Sequence, residues 1–237
     1  MRLRFGIIGC GRVAPRHAQS IAQLDSTEAA AYADIKLSRA EKFAAEYGGA
    51  AYADYRTLLD RPDIDAVSIC VPSGLHAAVA IDAMQAGKHV LVEKPIAIDL
   101  ADADRMIRTA QEQGVTLAVV LQNRYNHPMQ QLRALIDSGG LGRLYLGNAT
   151  VRWFRPQSYY EDDWHGTWAM DGGALMNQSI HHIDALQWFM GPVASVHAYT
   201  ATLAHDMEAE DVGVASVRFA GGGLGVIEGS TLTWPQN

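Results

Sequence analysis

The chain has 237 residues, 49% of them apolar, and its 26 acidic and 19 basic residues give a net charge of −7. This charge disfavours nucleic acid as a partner, and no apolar run approaches the roughly 18 residues that span a bilayer, so we expect neither a nucleic-acid partner nor a membrane span. The two cysteines, Cys10 and Cys70, lie in or beside predicted buried strands. That pattern is typical of free thiols in a reducing cytoplasm and not of a disulfide framework.

The first predicted elements are a short apolar strand, a glycine-rich turn and a helix. The strand covers Arg4–Ile8, the turn reads Gly9-Cys10-Gly11-Arg12-Val13-Ala14, and a helical stretch lies behind it. In a dinucleotide-binding turn the first glycine makes the bend, the second lets the backbone approach the pyrophosphate, and the helix amino terminus faces the phosphates. The strand before and the helix after favour this interpretation over an ordinary turn. The predicted cofactor-binding residues here are Gly9, Gly11, Arg12 and Val13.

An acid ends the second predicted strand, Ala29–Ala33. Asp34 follows Gly9 by 25 residues, where a carboxylate can accept hydrogen bonds from the adenosine ribose and repel a 2′-phosphate. We therefore expect NAD as the cofactor. NADP stays open because Lys36 and Arg39 are close enough to contact a 2′-phosphate, and Asp34 also fits the role of a turn or helix-cap residue.

The next segments continue an alternation of strands and helices. Ala66–Val71 and His89–Val92 are short apolar strands, and Leu117–Leu121 is a fifth. Such an alternation is typical of βαβ units on a parallel sheet buried on both faces. His89–Val92 leads directly to Glu93-Lys94-Pro95, so Lys94 lies at the carboxyl end of a strand, where open α/β sheets place ligands. Pro95 biases Lys94 toward an extended backbone, which makes this lysine a catalytic candidate.

The second half of the chain has a different pattern. Predicted strands are Leu144–Phe154, Val193–Leu203, Val212–Phe219 and Leu224–Thr233, with Gly221–Gly223 as a hairpin turn. The fold class we predict is an α/β domain over residues 1–121, followed by an α+β domain over residues 122–237 with an antiparallel sheet. The chain ends at Trp234–Asn237 just as a strand ends, so we expect it to be truncated.

A polar triplet lies on a predicted helix from Ala174 to Phe189. Asn177 and His181 are four residues apart and Asp184 is three further on, so all three are expected on about one face. These groups are costly to bury without partners, which modestly favours a functional site over an internally tied helix. His182 points about 100° away around a helix, and no second ligand cluster is visible, so we predict no metal site.

Together these segments resemble the glucose–fructose oxidoreductase, inositol dehydrogenase and rhizopine-catabolism (Gfo/Idh/MocA) family. The matching stretches are GCGRVA, VPSGLH, AGKHVLVEKP, QNRY and GGALMNQSIHHID. The resemblance implies a Rossmann domain, a second domain with an open, mostly antiparallel sheet that commonly mediates homo-oligomers, and NAD(P)-linked oxidation or reduction of a sugar or cyclitol. It also implies about a hundred further residues.

The resemblance assigns roles to individual residues. Lys94 matches the family's active-site lysine, and Lys94–Pro95 is a candidate cis peptide. The family's Asp-x-x-x-His motif falls on Asn177 and His181, so the histidine is kept and the aspartate is not; similar Asn-Gln-x-x-His versions occur in relatives acting on nucleotide-linked sugar acids. Further cofactor contacts are expected from Pro72, Ser73, His76, Glu93 and Lys94. Substrate contacts are expected from Arg124, Tyr125, Arg155, Trp164, Trp168, Asn177 and His181, while simple packing is the alternative role for most of the aromatic residues.

The chemistry needs a hydride acceptor and a base for the hydroxyl proton. The pKa of a free lysine is near 10.4, so the pKa of Lys94 must fall by about three to let it act as a base at pH 7. A histidine, with a reference pKa near 6.5, needs no such shift. We therefore favour His181 as base and Lys94 as hydrogen-bond donor to the reacting oxygen, with the reverse assignment open. Two other classes stay open: a glycosidase with retained NAD and an internal redox cycle, and a non-catalytic NAD-binding or regulatory protein.

Overall fold

The structure is a computed structural model that describes residues 2–234 of the chain. Residues 235–237, on which part of the truncation expectation depends, lie outside the described residues. The chain divides between Val120 and Leu121 into two compact units.

The first unit is built on a six-stranded parallel sheet with strand order β3-β2-β1-β4-β5-β6. The alternation predicted from the sequence is confirmed, with one strand more than expected. The strands are β1 (Leu3–Ile8), β2 (Thr27–Ala33), β3 (Ala50–Tyr52), β4 (Ala66–Ile69), β5 (His89–Val92) and β6 (Leu117–Val119). The chain order reverses around β1, so the carboxyl ends of β1 and β4 flank the position where open α/β sheets bind ligands.

Helices connect the strands of this sheet. They are α1 (Ala14–Ala22), α2 (Leu37–Tyr47), α3 (Tyr55–Leu59), α4 (His76–Gln85) and α5 (Leu100–Gln113). The carboxylates of Asp54 and Asp99 cap α3 and α5 by accepting the backbone N–H of Arg56 and Ala101. Two buried apolar clusters, one containing Val67, Val90 and Met84 and the other containing Ile7 and Tyr32, fill the unit.

The second unit contains a four-stranded sheet with order β7-β10-β9-β8. Its strands are β7 (Leu146–Arg152), β8 (Val193–Ala201), β9 (Val212–Phe219) and β10 (Leu224–Ser230). The β9–β10 and β8–β9 pairs are antiparallel, which confirms a mostly antiparallel sheet and the hairpin at Gly221–Gly223. The β7–β10 pair is parallel, a pairing that the sequence pattern did not predict.

Besides short 3₁₀ turns at Gln122–Tyr125 and Gln157–Tyr159, the described part of the second unit contains two α-helices and one wide turn. They are α6 (His127–Asp137), a π-helical turn (Ala174–Gln178) and α7 (Ile180–Met190). The prediction of one continuous helix from Ala174 was therefore wrong in its first turn. Ser179 N–H donates to the Ala174 carbonyl across the wide turn, and α7 begins only after it.

Candidate functional site

The glycine turn after β1 has the geometry that a dinucleotide site needs. Gly9 has φ +90°, and a Cβ on it would lie 2.7 Å from the carbonyl oxygen of Cys70. Any other residue would therefore be strained and would push β1 away from the end of β4. Gly9 N–H donates to Ala33 O at 2.8 Å, which ties the turn to β2 as well.

The start of α1 fits the phosphates of a dinucleotide. A Cβ on Gly11 would meet no protein atom within 4 Å, so the backbone there is open to a ligand. Val13 occupies the N-cap position and no side chain accepts a hydrogen bond there, so the amino terminus of α1 lacks the usual cap. Helix amino termini in this state bind anions through free N–H groups and the helix dipole. Arg12 is exposed beside this turn.

Asp34 joins the glycine turn to the start of α2. Its Oδ2 accepts the N–H of Cys10 at 2.9 Å and its Oδ1 accepts the N–H of Lys36 at 2.8 Å, with the side chain 7% exposed. The carboxylate thus has the turn-forming role that the sequence left open beside ribose binding. Arg39 has a guanidinium nitrogen 4.0 Å from Asp34 and is half exposed.

The turn after β4 carries a buried histidine. Pro72 precedes a 3₁₀ turn at Ser73–Leu75, and His76 then begins α4 with only 1% of its surface exposed. His76 Nδ1 lies 2.7 Å from Pro95 O, and its Nε2 lies 3.0 Å from Val71 O. The ring therefore lies between the ends of β4 and β5, and when neutral it donates to one of the two carbonyls.

The segment after β5 is held by a second histidine. Glu93 Oε1 lies 2.9 Å from His17 Nε2, and its Oε2 accepts the Lys94 N–H at 3.1 Å. Burial alone would raise the pKa of Glu93, but the hydrogen bond with His17 and the nearby Lys94 lower it overall. The Lys94–Pro95 peptide bond is cis, as the resemblance implied.

In the second unit the π-helical turn presents Asn177 to a buried carboxylate. Asn177 Nδ2 donates to Asp171 Oδ1 at 2.5 Å, and Asp171 Oδ2 accepts the Gly166 N–H at 2.8 Å. Asp171 is 2% exposed. This carboxylate therefore orients the Asn177 amide, because only the NH₂ group can donate to it.

A second buried acid explains the glycine pair and the wide turn. Glu210 Oε1 accepts the N–H of Leu175 at 2.9 Å, and the Glu210 carbonyl accepts the N–H of Ala174. A Cβ on Gly173 would lie 2.0 Å from Glu210 Oε2, so only glycine fits there. The first turn after Gly173 is thus set by a contact from 37 residues further along the chain, which helical periodicity does not contain.

The polar triplet predicted on one helix face is divided between the π-helical turn and α7. Asn177 lies in the turn, while His181 and Asp184 lie on α7. Asp184 pairs with Arg124, with Nε to Oδ2 at 2.7 Å and Nη2 to Oδ1 at 2.5 Å, and this pairing raises the pKa of the Arg124 guanidinium. Gln122 Nε2 lies 3.5 Å from His181 Nε2, at the limit of a hydrogen bond.

Arg155 is surrounded by amide and aromatic groups. Its Nη2 donates to Gln178 Oε1 at 2.9 Å, and its guanidinium lies over the rings of Trp153 and Tyr159 at 5.2 and 5.4 Å. Within residues 2–234 no carboxylate forms an ion pair with Arg155. Its charge is therefore available to an anionic group.

The predicted aromatic contacts differ in exposure. Trp164 stacks on His165 with ring centroids 3.7 Å apart, whereas Trp168 and Tyr125 are 55% and 81% exposed. The structure thus gives Trp164 a packing partner and leaves the other two rings largely uncovered.

Several site groups were missed from the sequence. They are Asp171, Gln178, Glu210, Gln122 and His17. Asp171 directly precedes the glycine pair, which is the one local signal that was available for it.

Among the residues that the structure describes, no group of three His, Cys, Asp or Glu side chains is arranged to hold a metal ion. No helix in the described part of the chain is long and apolar enough to cross a membrane. A cavity of about 400 Å³, lined among others by Arg4, Glu28 and Arg61, lies at the amino ends of β1 and β2, opposite the glycine turn.

Comparison with protein families gives two matches that together cover most of the chain. Residues 3–121 match GFO_IDH_MocA, described as an oxidoreductase family with an NAD-binding Rossmann fold. Residues 129–237 match the GFO/IDH/MocA C-terminal domain.

Individual relatives extend this similarity. An uncharacterized oxidoreductase, YrbE, of Bacillus subtilis is 33% identical over 95% of this chain and 66% of its own length. A myo-inositol 2-dehydrogenase of Thermotoga maritima is 30% identical over 96% of this chain and 68% of its own length. The chain thus spans about two thirds of the length of these relatives.

A solved structure is similar over the whole chain. The WlbA dehydrogenase of Bordetella pertussis, in complex with NADH and UDP-GlcNAcA, has a TM-score of 0.97 and 43% identity, covering 100% of this chain and 73% of that one.

Proposed function

Because the chain belongs to the GFO/IDH/MocA oxidoreductase family, with an NAD-binding Rossmann domain, we propose that it transfers a hydride between NAD and a secondary alcohol of a sugar, cyclitol or nucleotide-linked sugar. The observation that carries the proposal is the pairing of an uncapped α1 behind Gly9 and Gly11 with a lysine, Lys94, at the carboxyl end of β5 in the same parallel sheet. Such sheets bind dinucleotides at this edge.

Bound NAD supplies the hydride acceptor, and the protein supplies orientation and proton transfer. The phosphates are assigned to the turn at Gly9–Val13 and the adenosine ribose to Asp34, with Pro72, Ser73, Glu93 and Lys94 as the further cofactor residues. His76 is left out of this set, because it is 1% exposed and both of its ring nitrogens face backbone carbonyl oxygens. The two hydrogen bonds that Asp34 already accepts leave lone pairs for ribose hydroxyls, since a carboxylate has about four acceptor positions.

We assign His181 as the base that accepts the proton of the substrate hydroxyl. Lys94 is assigned as the donor of a hydrogen bond to the reacting oxygen. Asn177 cannot take a proton, so we assign it the role of orienting the substrate hydroxyl or His181. Its NH₂ group donates to Asp171, so the Oδ1 atom of Asn177 is the acceptor of its amide. Arg124, with its guanidinium tied to Asp184, and Tyr125, Trp164 and Trp168 are proposed as pocket residues.

Within this function we propose a nucleotide-linked sugar acid as the substrate. Arg155 supports this choice, because its charge has no carboxylate partner in the described part of the chain and its guanidinium is held by Gln178 and two aromatic rings. A guanidinium so placed suits a carboxylate or phosphate. The similarity to the WlbA dehydrogenase, solved with UDP-GlcNAcA, supports the same class.

The experiment is spectrophotometric. The full-length protein is mixed with NAD or NADP and with free cyclitols, aldoses and UDP-linked sugars with and without a C6 carboxylate, and reduced nicotinamide is followed at 340 nm. We expect reduction of NAD by the UDP-hexuronic acids. NAD binding without reduction by any compound would instead support an internal redox cycle or a binding role.

We also propose that the second unit forms homo-oligomers through one face of its sheet. Tyr199, Val214, Leu224 and Val226 are 45–71% exposed, and the strand register aligns them on that face. The same register places Ser216, Arg218 and Glu228 beside them, so the face is mixed, and its exposed apolar side chains are of the kind that protein–protein contacts cover. Light scattering after size-exclusion chromatography tests this, with Tyr199→Glu expected to shift the protein toward the monomer and a monomeric wild type counting against it.

A further inference from the structure

The residues on either side of Lys94 are each held by a buried histidine from a different helix. We name Glu93–Pro95 the EKP segment. We propose that His17, from α1, and His76, from α4, are positioning residues that fix the two ends of the EKP segment and thereby aim Lys94. The inference rests on the role proposed for Lys94, and its test includes a readout that does not depend on activity.

The amino-terminal end of the EKP segment is fixed through a chain of three side chains. Ser68 Oγ lies 2.7 Å from His17 Nδ1, and His17 Nε2 lies 2.9 Å from Glu93 Oε1. Ser68 is fully buried, and the side chains of His17 and Glu93 are 9% and 16% exposed. A neutral imidazole satisfies both contacts if Ser68 donates to Nδ1 and Nε2–H donates to Glu93.

Glu93 passes this constraint to the lysine. Its second oxygen, Oε2, accepts the backbone N–H of Lys94 at 3.1 Å. The carboxylate is therefore held by α1 on one oxygen and holds the lysine backbone with the other. Removing the His17 donor would free the carboxylate to rotate and release the Lys94 N–H.

The carboxyl-terminal end of the EKP segment is fixed by His76. Both ring nitrogens face carbonyl oxygens, Nδ1 that of Pro95 at 2.7 Å and Nε2 that of Val71 at 3.0 Å. Burial lowers the pKa of His76, and the two carbonyl contacts only partly offset it. A neutral ring has one N–H, and within this proposal we place it on Nδ1, whose contact to the Pro95 carbonyl is the shorter of the two.

The two histidines donate their positioning hydrogen bonds from different ring nitrogens. His17 acts through Nε2, and His76 acts through Nδ1. A glutamine amide reaches approximately the position of Nε2 and an asparagine amide that of Nδ1. The structure therefore gives opposite orders of tolerance at the two positions, which a purely space-filling role would not produce.

The test uses four variants of the full-length protein. We expect His17→Gln and His76→Asn to retain turnover within about threefold of the wild type, and His17→Asn and His76→Gln to lose about tenfold to a hundredfold in kcat, because small misplacements of a reacting group cost that much. The NADH Kd is expected to change less than kcat. His127→Gln, at an exposed position on α6, is the control for effects of a histidine substitution that do not involve the EKP segment.

The same order of Asn and Gln at both positions, or losses that follow the fall in Tm alone, would overturn the proposal. A second measurement covers variants that fail to fold and a wild type that turns over none of the substrates. Two-bond ¹H–¹⁵N correlation spectra of the wild-type imidazoles report which nitrogen is protonated. We expect His76 with Nδ1–H and His17 with Nε2–H; the opposite tautomer at either residue would refute the corresponding contact even if hydride transfer is never observed.

Discussion

Asn177 donates a hydrogen bond from its side-chain amide to Asp171, a carboxylate buried to 2% exposure, at 2.5 Å. Asn177 occupies the position where the resemblance expects an aspartate. An aspartate at that position would face Asp171 across a hydrogen-bond distance, and two carboxylates so close share one proton because both cannot ionise. In this chain Asn177 and Asp171 therefore form a donor–acceptor pair that an ionised aspartate at position 177 would not form.

This pair predicts a rescue by exchange. Asn177→Asp is expected to lower kcat by about tenfold or more, because the new carboxylate must bind a proton to remain beside Asp171. In the double variant Asp171→Asn/Asn177→Asp the amide at position 171 donates and the carboxylate at position 177 accepts. We expect this variant to recover most of the activity. Steady-state kinetics across pH 6–9 measure both. Asp163→Asn, at an exposed position, is the control, and a double variant no better than Asn177→Asp would contradict the arrangement.

Lys94 can be tested as donor or as base with two substitutions. Lys94→Ala is expected to reduce kcat by about 10²- to 10⁴-fold, while NADH binding is followed separately by fluorescence. Arginine keeps the charge and the donors but does not deprotonate. If Lys94 donates to the reacting oxygen, Lys94→Arg keeps part of the activity that alanine loses. If Lys94 is the base, the two variants are equally inactive, and turnover near the wild-type level in Lys94→Ala would remove the lysine from the mechanism.

The acid stability of the second unit should depend on Asp211. This carboxylate is fully buried and accepts the N–H groups of Leu203, Ala204 and His205. Burial alone would raise the pKa of Asp211, but these backbone hydrogen bonds and the His205 side chain lower it overall. A carboxylate with a lowered folded pKa stabilises the fold fully above its unfolded value, near 3.9, and loses that stabilisation as the pH falls through the folded value.

Asp211→Asn should therefore lower the free energy of unfolding at pH 7 by about 3 kcal/mol, since hydrogen bonds to a charged acceptor are lost and N–H groups are left unsatisfied. The difference from the wild type should shrink as the pH falls below about 4. Urea unfolding between pH 3 and 7 measures this. Asp206→Asn, an exposed neighbour, should leave the curve unchanged, and a difference that stays constant with pH would argue against the assignment.

The two cysteines should resist alkylation in the folded protein. Burial first, and then the charge of Asp34, raise the pKa of Cys10 to about 12, and burial also raises the pKa of Cys70. At pH 8 very little of Cys10 is therefore the thiolate, which is the reactive form. Iodoacetamide with intact-mass detection is expected to label the native protein slowly and the guanidinium-unfolded protein twice within minutes. Rapid labelling of the native protein would show that one thiol is accessible.

Elements with an uninterrupted hydrophobic pattern could be predicted from the local sequence. The bounds of β5 and β9 match the prediction, because both are apolar or alternating runs with clear flanking breaks. β3 was not predicted, because three residues, two of them alanine, give too little periodicity.

The features that the sequence did not predict depend on distant residues. The parallel β7–β10 pair and the π-helical turn at Ala174–Gln178 need partners more than thirty residues away, Glu210 in the second case. The same holds for the site: the residue types at Gly9, Asp34 and Lys94 were readable, but the contacts of His17 with Glu93 and of Asp171 with Asn177 appear only when the chain is folded. A single histidine or aspartate in a sequence carries no sign of its partner.

The most direct test of hydride transfer follows the hydrogen itself. The full-length protein is incubated for a single turnover with NAD and a UDP-hexuronic acid that carries deuterium at every ring carbon, then denatured, and both bound and released nicotinamide are analysed by mass spectrometry. We predict NADH that carries one deuterium. Cofactor that remains unlabelled, with substrate that keeps all of its deuterium, would contradict a dehydrogenase acting on this class of sugar.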